Sequence, residues 1–151
     1  MDIKQFRFYN LDLRMESYKD LYMNAYGEAC EINEFGEVEV VDDNVIIDEF
    51  TGFLLDGRQL FTSDVLRTTI EASSGDTVEV FGIVYMEPEI NSFAVEFWTT
   101  EEEDTEYLDL MSYMAMFGEQ SKIHGIYYDD LTDEDIDNIR RIKDDGKGAE
   151  W

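Results

Sequence analysis

The chain has 151 residues, of which 44% are hydrophobic and 14% aromatic, and this apolar content excludes a disordered acidic tail. Its 37 acidic residues against 11 Lys and Arg give a formal net charge of −26, which disfavours nucleic acid and anionic membranes as direct partners. A single cysteine and a single histidine exclude an intrachain disulfide and leave a structural zinc site short of ligands. We therefore expect a cytosolic, non-catalytic binding protein with basic partners and no cofactor or metal.

The first half of the chain is predicted to be mostly β-strand. Residues 3–9 favour a strand, and residues 11–26 are ambiguous between helix and strand. Residues 29–50 indicate consecutive strands, in which residues 37–40 alternate, with the glutamates expected outward and the valines inward. Asp56-Gly57 is a hairpin signal between two apolar runs.

The second half is predicted to contain strands and two helices. Strands at about 78–85 and 93–97 are separated by a break at Glu87-Pro88-Glu89, and residues 122–128 form another short strand. The first helix is expected over 104–117, ending at Gly118, on an apolar spacing that includes Tyr107, Leu110, Met111, Met114 and Phe117. A second helix over 132–142 is expected to be capped by Thr132 and Asp135, with Ile136 and Ile139 facing inward.

These elements predict an α+β fold that is mainly antiparallel β-sheet with two helices. Because no linker, low-complexity segment or internal repeat is identified, residues 1–142 are predicted to form one β-rich domain. Residues 143–151 are predicted to be a flexible tail.

Several motifs are weighed and given structural interpretations. Asp133, Asp135 and Asp137 have the spacing that begins a calcium loop, but Asn138 stands where the sharp turn needs glycine, so a helix is favoured. Cys30 is expected to fill the core, and His124 is expected to be structural. The chain contains neither a glycine-rich phosphate loop nor a nucleophile elbow.

The acidic residues themselves are the candidate functional residues. Acids on one face of a strand recur about every 7 Å, so rows of them could imitate the charged backbone of DNA. Simple solubility and a halophilic source are the alternatives. The candidate partner-binding residues are Glu37, Glu39, Asp42, Asp43, Glu101, Glu102, Glu103, Asp104, Asp129, Asp130, Asp133 and Asp137.

Residues 49–65 resemble the signature of the YopX-like phage protein family, in which Thr-Gly-Leu leads to an Asn-Gly turn and then to Ile-Tyr-Glu-Gly-Asp-Ile-Val. Residues 3–8 and 122–127 resemble that family's opening and closing segments, in the same order along the chain. The chain departs from the family at Thr62 and Ser63, which replace a Glu-Gly pair, and its hairpin is about one residue shorter. Identities to the signature are Thr51, Gly52, Gly57, Asp64 and Val65.

This resemblance implies a phage or prophage origin and a mostly β fold with a small SH3-like barrel. The family carries no established catalytic residues, so none is transferred. Its signature residues imply a scaffold role, with Gly57 serving the turn and Asp64 a local backbone hydrogen bond.

Together, acidity and the resemblance predict a phage-encoded inhibitor that acts in the host cytoplasm as a DNA mimic. It would occupy the basic nucleic-acid groove of a host defence nuclease, either a CRISPR effector or a restriction enzyme, as an anti-CRISPR or antirestriction protein. The alternative is a non-catalytic phage scaffold or regulatory module that oligomerises, and a metal-dependent hydrolase ranks third. The sequence leaves open whether the chain forms a homodimer.

Overall fold

A computed structural model describes residues 3–17, 20–41, 44–99 and 106–139. The chain divides into two compact units, which are named here by their place in the sequence. The central unit comprises Ile3 and the described part of Glu49–Tyr127. The terminal unit comprises the described parts of Lys4–Asp48 and Tyr128–Trp151. Within the described residues, no helix has the length and apolar character needed to cross a membrane.

The terminal unit is built from short strands and one helix. Strand β1 lies between β2 and the long strand β6, and β3, β4 and β5 form a separate antiparallel sheet, here called the meander. Helix α2 covers residues 133–139 of the described chain. The strands are β1 Phe6–Asn10, β2 Met15–Glu16, β3 Tyr22–Met23, β4 Ala29–Ile32, β5 Val38–Val40 and β6 Val45–Leu55, which continues into the central unit.

The central unit contains a curled five-stranded sheet and a hairpin formed by β6 and β7. The sheet has the order β11-β10-β9-β8-β12, and all of its pairings are antiparallel. Its elements are β7 Arg58–Phe61, β8 Asp64–Glu71, β9 Thr77–Glu87, β10 Ser92–Thr99, β11 Glu106–Asp109, α1 Leu110–Phe117 and β12 Ser121–Ile126. The predicted α+β class, mainly antiparallel β with two helices, is confirmed, whereas the single domain over 1–142 stays a prediction.

One face of the five-stranded sheet forms the core of the central unit. Leu66, Val84 and Val95 lie on this face in adjacent strands, and Leu110 and Tyr113 of α1 are buried against them. Burial of these side chains stabilises the unit by roughly 1.5–3 kcal/mol for each large residue. The helix therefore covers the sheet with the face on which its two buried residues lie.

A polar group inside this core is fully satisfied. The Tyr113 hydroxyl lies 2.5 Å from the Thr68 hydroxyl, which in turn lies 2.8 Å from the Ser121 hydroxyl. Ser121 also donates to the Phe117 carbonyl at 2.7 Å. Burial raises the pKa of Tyr113. The chain of hydroxyls joins α1, β8 and β12 at no cost from unpaired polar atoms.

The first predicted helix begins later than expected. Residues 106–109 pair with β10 as strand β11, so Tyr107 lies on a strand, and α1 starts at Leu110. Asp109 caps this helix by accepting the Ser112 backbone N–H at 3.0 Å. Hydrogen bonding to the Ser112 side chain, and then to its backbone, lowers the pKa of Asp109. The prediction failed because the apolar spacing runs through both elements, and the available sheet edge makes the first of them a strand. Gly118 does end α1, and a 3₁₀ turn at Gly118–Gln120 follows.

The predicted capping box of the second helix is confirmed. The Asp135 N–H donates to the Thr132 hydroxyl and the Thr132 N–H donates to the Asp135 carboxylate, both at 3.2 Å. Ile136 is buried as predicted, and Ile139 is half-buried. The expected extension to residue 142 and the tail at 143–151 lie outside the described residues.

The predicted burial of the valines in β5 is wrong. Val38 and Val40 are 62% and 53% exposed, although Cys30, which lies opposite Val40 on the same face of the meander, is fully buried. Met111 of α1, which the spacing placed in the core, is also exposed, as is Met116, whereas Met114 and Phe117 pack against the core.

Residues 49–65 contain a tight hairpin turn and a local bond from a side chain to the backbone. Asp56 and Gly57 both have positive φ, at 52° and 75°, and join β6 to β7 in the predicted hairpin. Buried Asp64 accepts the Phe61 backbone N–H at 2.8 Å, which is the expected local bond. Ser63 has a φ of 69° between β7 and β8, where the family has glycine.

We predict that Ser63→Gly stabilises the protein by about 1 kcal/mol, because the left-handed conformation strains a residue with a Cβ atom and not glycine. Ser74→Gly is the matched control, since Ser74 lies in another exposed turn without positive φ. Urea unfolding of the two variants checks this. Equal effects of both substitutions on the unfolding free energy would contradict strain at Ser63.

Candidate interaction surfaces

Two long stretches of the chain contain acids and no lysine or arginine. Residues 20–57 contain eleven acidic residues and no cation, and residues 123–139 contain six acidic residues and neither Lys nor Arg. Because no cation of the same stretch can neutralise these acids locally, the structure of each stretch decides how its charge is displayed. Both belong largely to the terminal unit.

The first stretch contains the meander, whose strands are joined by two copies of one turn. Asn24 and Asn33 each begin a five-residue turn of the form Asn-x-aromatic-Gly-Glu, nine residues apart. Each asparagine carboxamide accepts two backbone N–H groups of its own turn, at 2.9–3.0 Å. The glycine in each turn has a φ near 78°, which is the left-handed position that closes such a hairpin loop. Backbone geometry therefore aims Tyr26 and Phe35 outward, and they are 88% and 77% exposed.

The meander also holds two of the predicted site residues, Glu37 and Glu39. Their side chains lie on one face because they are two residues apart on an extended chain. Glu39 is directly opposite Glu31 on β4 and accepts the Asn33 carboxamide at 2.9 Å. Like charges directly opposite each other destabilise a sheet, so a cation bound beside these glutamates would stabilise it. The structure brings Glu37 and Glu39 together as predicted.

The second acidic stretch is held in place by Arg14 and Tyr9. The Arg14 guanidinium donates to the backbone carbonyls of Tyr128, Asp129 and Leu131, and it pairs with Asp133 at 3.4 Å. The buried Tyr9 hydroxyl donates to the Asp129 carboxylate at 2.8 Å, and its ring lies 5.3 Å from the ring of Tyr128. These contacts close the terminal unit across more than 110 residues of sequence.

This arrangement separates the four predicted acids of the segment into two kinds. Asp129 and Asp133 have structural partners in Tyr9 and Arg14, so their replacement would disturb the fold as well as the surface. Asp130 lies on the 3₁₀ turn Tyr127–Asp130 and Asp137 lies on α2. Both are exposed, as Asp129 and Asp133 are, and both also have interactions within the chain. The remaining predicted acids, Asp42, Asp43 and Glu101 to Asp104, lie outside the described residues.

A third group, in the central unit, was missed by the sequence reasoning. Tyr85 donates to Glu87 at 2.7 Å and Tyr107 donates to Glu89 at 3.4 Å, while Glu96 lies opposite Tyr107 in the register of β10 and β11. Burial and the adjacent Glu87 raise the pKa of Tyr85, and the charge of Glu89 raises that of Tyr107. The alternation of β9 and β10 was visible in the sequence, but the pairing with β11 was not, because residues 106–109 were assigned to a helix.

In the part of the chain that the structure describes, no three His, Cys, Asp or Glu side chains come together as a metal site. Asp133, Asp135 and Asp137 all lie on α2, and the Asp135 carboxylate accepts the Thr132 backbone N–H in the capping box. His124 lies against Phe81, with ring centroids 5.6 Å apart, at a bulge in β12.

Comparison with known proteins returned no similar protein: no family model, no curated protein and no solved structure matches the chain.

We predict that Arg14→Met lowers the free energy of unfolding by about 2–3 kcal/mol, because three carbonyls and a carboxylate lose a charged donor. Arg67→Met is the matched control, since Arg67 pairs only with the partly exposed Glu79 on the sheet surface, and should cost about 1 kcal/mol or less. Chemical denaturation of both variants checks this. Similar losses would contradict a special role for Arg14.

Tyr9 should make the protein sensitive to alkali. Burial, followed by the hydrogen bond to Asp129, raises the pKa of Tyr9 to about 12, above the ordinary value of 10.0. Its contribution to stability is therefore complete below pH 10 and is lost as the pH rises through about 12. Tyr9→Phe should lower stability at pH 7 and flatten its decline above pH 10. Unfolding free energies measured against pH check this, and an unchanged alkaline slope would contradict it.

Proposed function

We propose that this protein is an acidic decoy that binds the cation-rich nucleic-acid groove of another protein. The observation that carries the proposal is the concentration of exposed acids in stretches without lysine or arginine, on segments that the fold holds in place. Among the described cations, Arg7, Arg14 and Arg67 pair with Asp48, Asp133 and Glu79, and of these three acids only Asp133 is a candidate binding residue. A charge distribution of this kind attracts basic surfaces and accelerates association with them.

The mechanism would be competition. Carboxylates of Glu37, Glu39, Asp130 and Asp137 would pair with the Arg and Lys side chains that otherwise hold phosphates. Exposed aromatic side chains such as Tyr26 and Phe35 would add the apolar contacts that concentrate binding energy in protein interfaces. The decoy would work by occupancy alone, so no catalytic residue is proposed.

The resemblance to YopX-like proteins extends this proposal to a biological setting. We propose a phage origin, action in the host cytoplasm, and a defence nuclease, either a CRISPR effector or a restriction enzyme, as the target. The same resemblance supports the proposal that the curled sheet is related to a small SH3-like barrel. These proposals rest on residues 49–65 and their flanking segments and not on the acidity.

A second candidate function is a phage scaffold or regulatory module that oligomerises. The exposed apolar side chains of the meander favour it, because Val38, Val40 and Ile32 are all more than half exposed. Against self-association stands the net charge of −26, which opposes bringing two copies together.

The decoy predicts capture of nucleic-acid enzymes through charge. The immobilised protein should retain such an enzyme from a bacterial lysate at about 50 mM salt and lose it at about 300 mM, where the screening length is shorter. Added DNA should displace the captured protein, as read by mass spectrometry. Capture that resists both salt and DNA would contradict the decoy.

Matched charge reversals then test the surface. Glu37→Lys, Asp130→Lys and Asp137→Lys together should weaken binding of the captured enzyme at least about ten-fold. The control reverses Glu71, Glu106 and Glu119, three exposed acids of the central unit, and changes the net charge equally. Equal weakening by both triple variants would show that only total charge matters and would overturn the assignment of the surface.

A further inference from the structure

Strand β5 forms one edge of the meander. Its pairing register with β4 determines which of its backbone N–H and C=O groups face away from the sheet. The Asn33 N–H donates to the Glu37 carbonyl at 2.9 Å, and the Val41 N–H donates to the Ala29 carbonyl at 2.8 Å. Hydrogen-bonded and non-bonded pairs alternate in an antiparallel ladder. The backbone N–H and C=O groups of Glu39, which is paired with Glu31, are therefore also directed toward β4. Val38 and Val40 therefore present their N–H and C=O groups outward, and no described strand pairs with that edge.

The two faces beside this edge differ in chemistry. On one face, Val38, Val40 and the neighbouring Ile32 are 62%, 53% and 64% exposed. On the other face, Glu37, Glu39 and Glu31 lie together. An edge strand that offers backbone donors, an apolar row and an acidic row has the features by which extended peptides are added to sheets.

We propose that β5 is a docking edge for an extended basic segment of a partner protein, with cationic and apolar side chains in alternation. The segment would pair with the outward groups of Val38 and Val40, place its apolar side chains beside the two valines, and place its cations beside Glu37 and Glu39. A cation there would also relieve the repulsion between Glu31 and Glu39, which face each other across the ladder.

Charge decides between this occupant and a second copy of the chain. Residues 20–41, which contain the whole meander, include six acids and no cation. Pairing two copies of β5 would bring these acids together with nothing in the meander to offset them. A basic strand supplies the missing charge. The inference concerns backbone pairing at one edge and does not depend on the decoy function, which requires only surface charge.

The test uses two peptides of equal charge. The probe is acetyl-Lys-Val-Lys-Val-Lys-Val-Lys-amide, and its control is acetyl-Lys-Pro-Lys-Pro-Lys-Pro-Lys-amide, which lacks alternate N–H groups and cannot add a regular strand. Fluorescence anisotropy with the full chain should show at least about ten-fold tighter binding of the Lys-Val peptide. Equal binding of both peptides would reduce the contact to electrostatics and overturn the proposal.

Two variants locate the contact. Val38→Pro removes an outward N–H without removing a ladder bond to β4, and it should abolish the preference for the Lys-Val peptide. Val38→Thr keeps the backbone donor and should retain most of the preference. Retention of the full preference by folded Val38→Pro would overturn the proposal.

Hydrogen exchange keeps the test independent of whether Val38→Pro folds. In the unaltered protein, the Lys-Val peptide should slow exchange of the Val38 and Val40 amides and leave the already bonded Glu39 amide nearly unchanged. Slower exchange that bypasses Val38 and Val40 would contradict edge pairing. Concentration-dependent dimerisation that protects these amides without peptide would assign the edge to a second copy and overturn the basic occupant.

Discussion

Accommodating a net charge of −26 is the constraint on which this structure depends. The chain meets it by using scarce cations as internal clamps. Arg7 pairs with Asp48 in the interior of the terminal unit, at 3.5 Å, and Arg14 binds three carbonyls and a carboxylate of a segment more than 110 residues away. A guanidinium suits this role because its several donors are fixed in one plane. Many of the acids outside these clamps are exposed, and they form the surfaces for which binding is proposed.

The acidic surfaces are held by polar contacts that are local in the meander and long-range in the second stretch. Asparagine carboxamides shape both turns of the meander, and Asn33 also orients Glu39. These local hydrogen bonds stabilise the turns of the meander even though the side chains of β5 are exposed. The segment at 128–137 instead depends on Tyr9 and Arg14, which come from the opposite end of the sequence. Meander and segment therefore differ in how they would respond to substitution. Changes in the meander should alter binding, whereas changes at Asp129 or Asp133 should alter folding as well.

Local chemistry made several features predictable. Each of these features involves groups that are only a few residues apart, so a short stretch of sequence is enough to predict it. They are the capping box of Thr132 and Asp135, the Asp56-Gly57 hairpin and the backbone bond of Asp64. The start of α1 was not predictable in this way. Residues 106–109 carry a spacing compatible with a helix, and their pairing with β10 depends on a free sheet edge that no local pattern reveals. The repeated turn at Asn24 and Asn33 was visible in the sequence but was not recognised.

The sequence by itself determined that the chain is acidic, that it folds, that its fold is mainly antiparallel β with two helices, and that Asp56-Gly57 forms a hairpin turn. These properties depend on composition and on contacts between near neighbours. Only the tertiary structure decided which apolar residues are buried and which acids share a surface. The alternation at residues 37–40 specifies that valines and glutamates face opposite ways, but not which face is covered. That choice depends on what lies against the sheet, and in the meander Val38 and Val40 are exposed as well as Glu37 and Glu39.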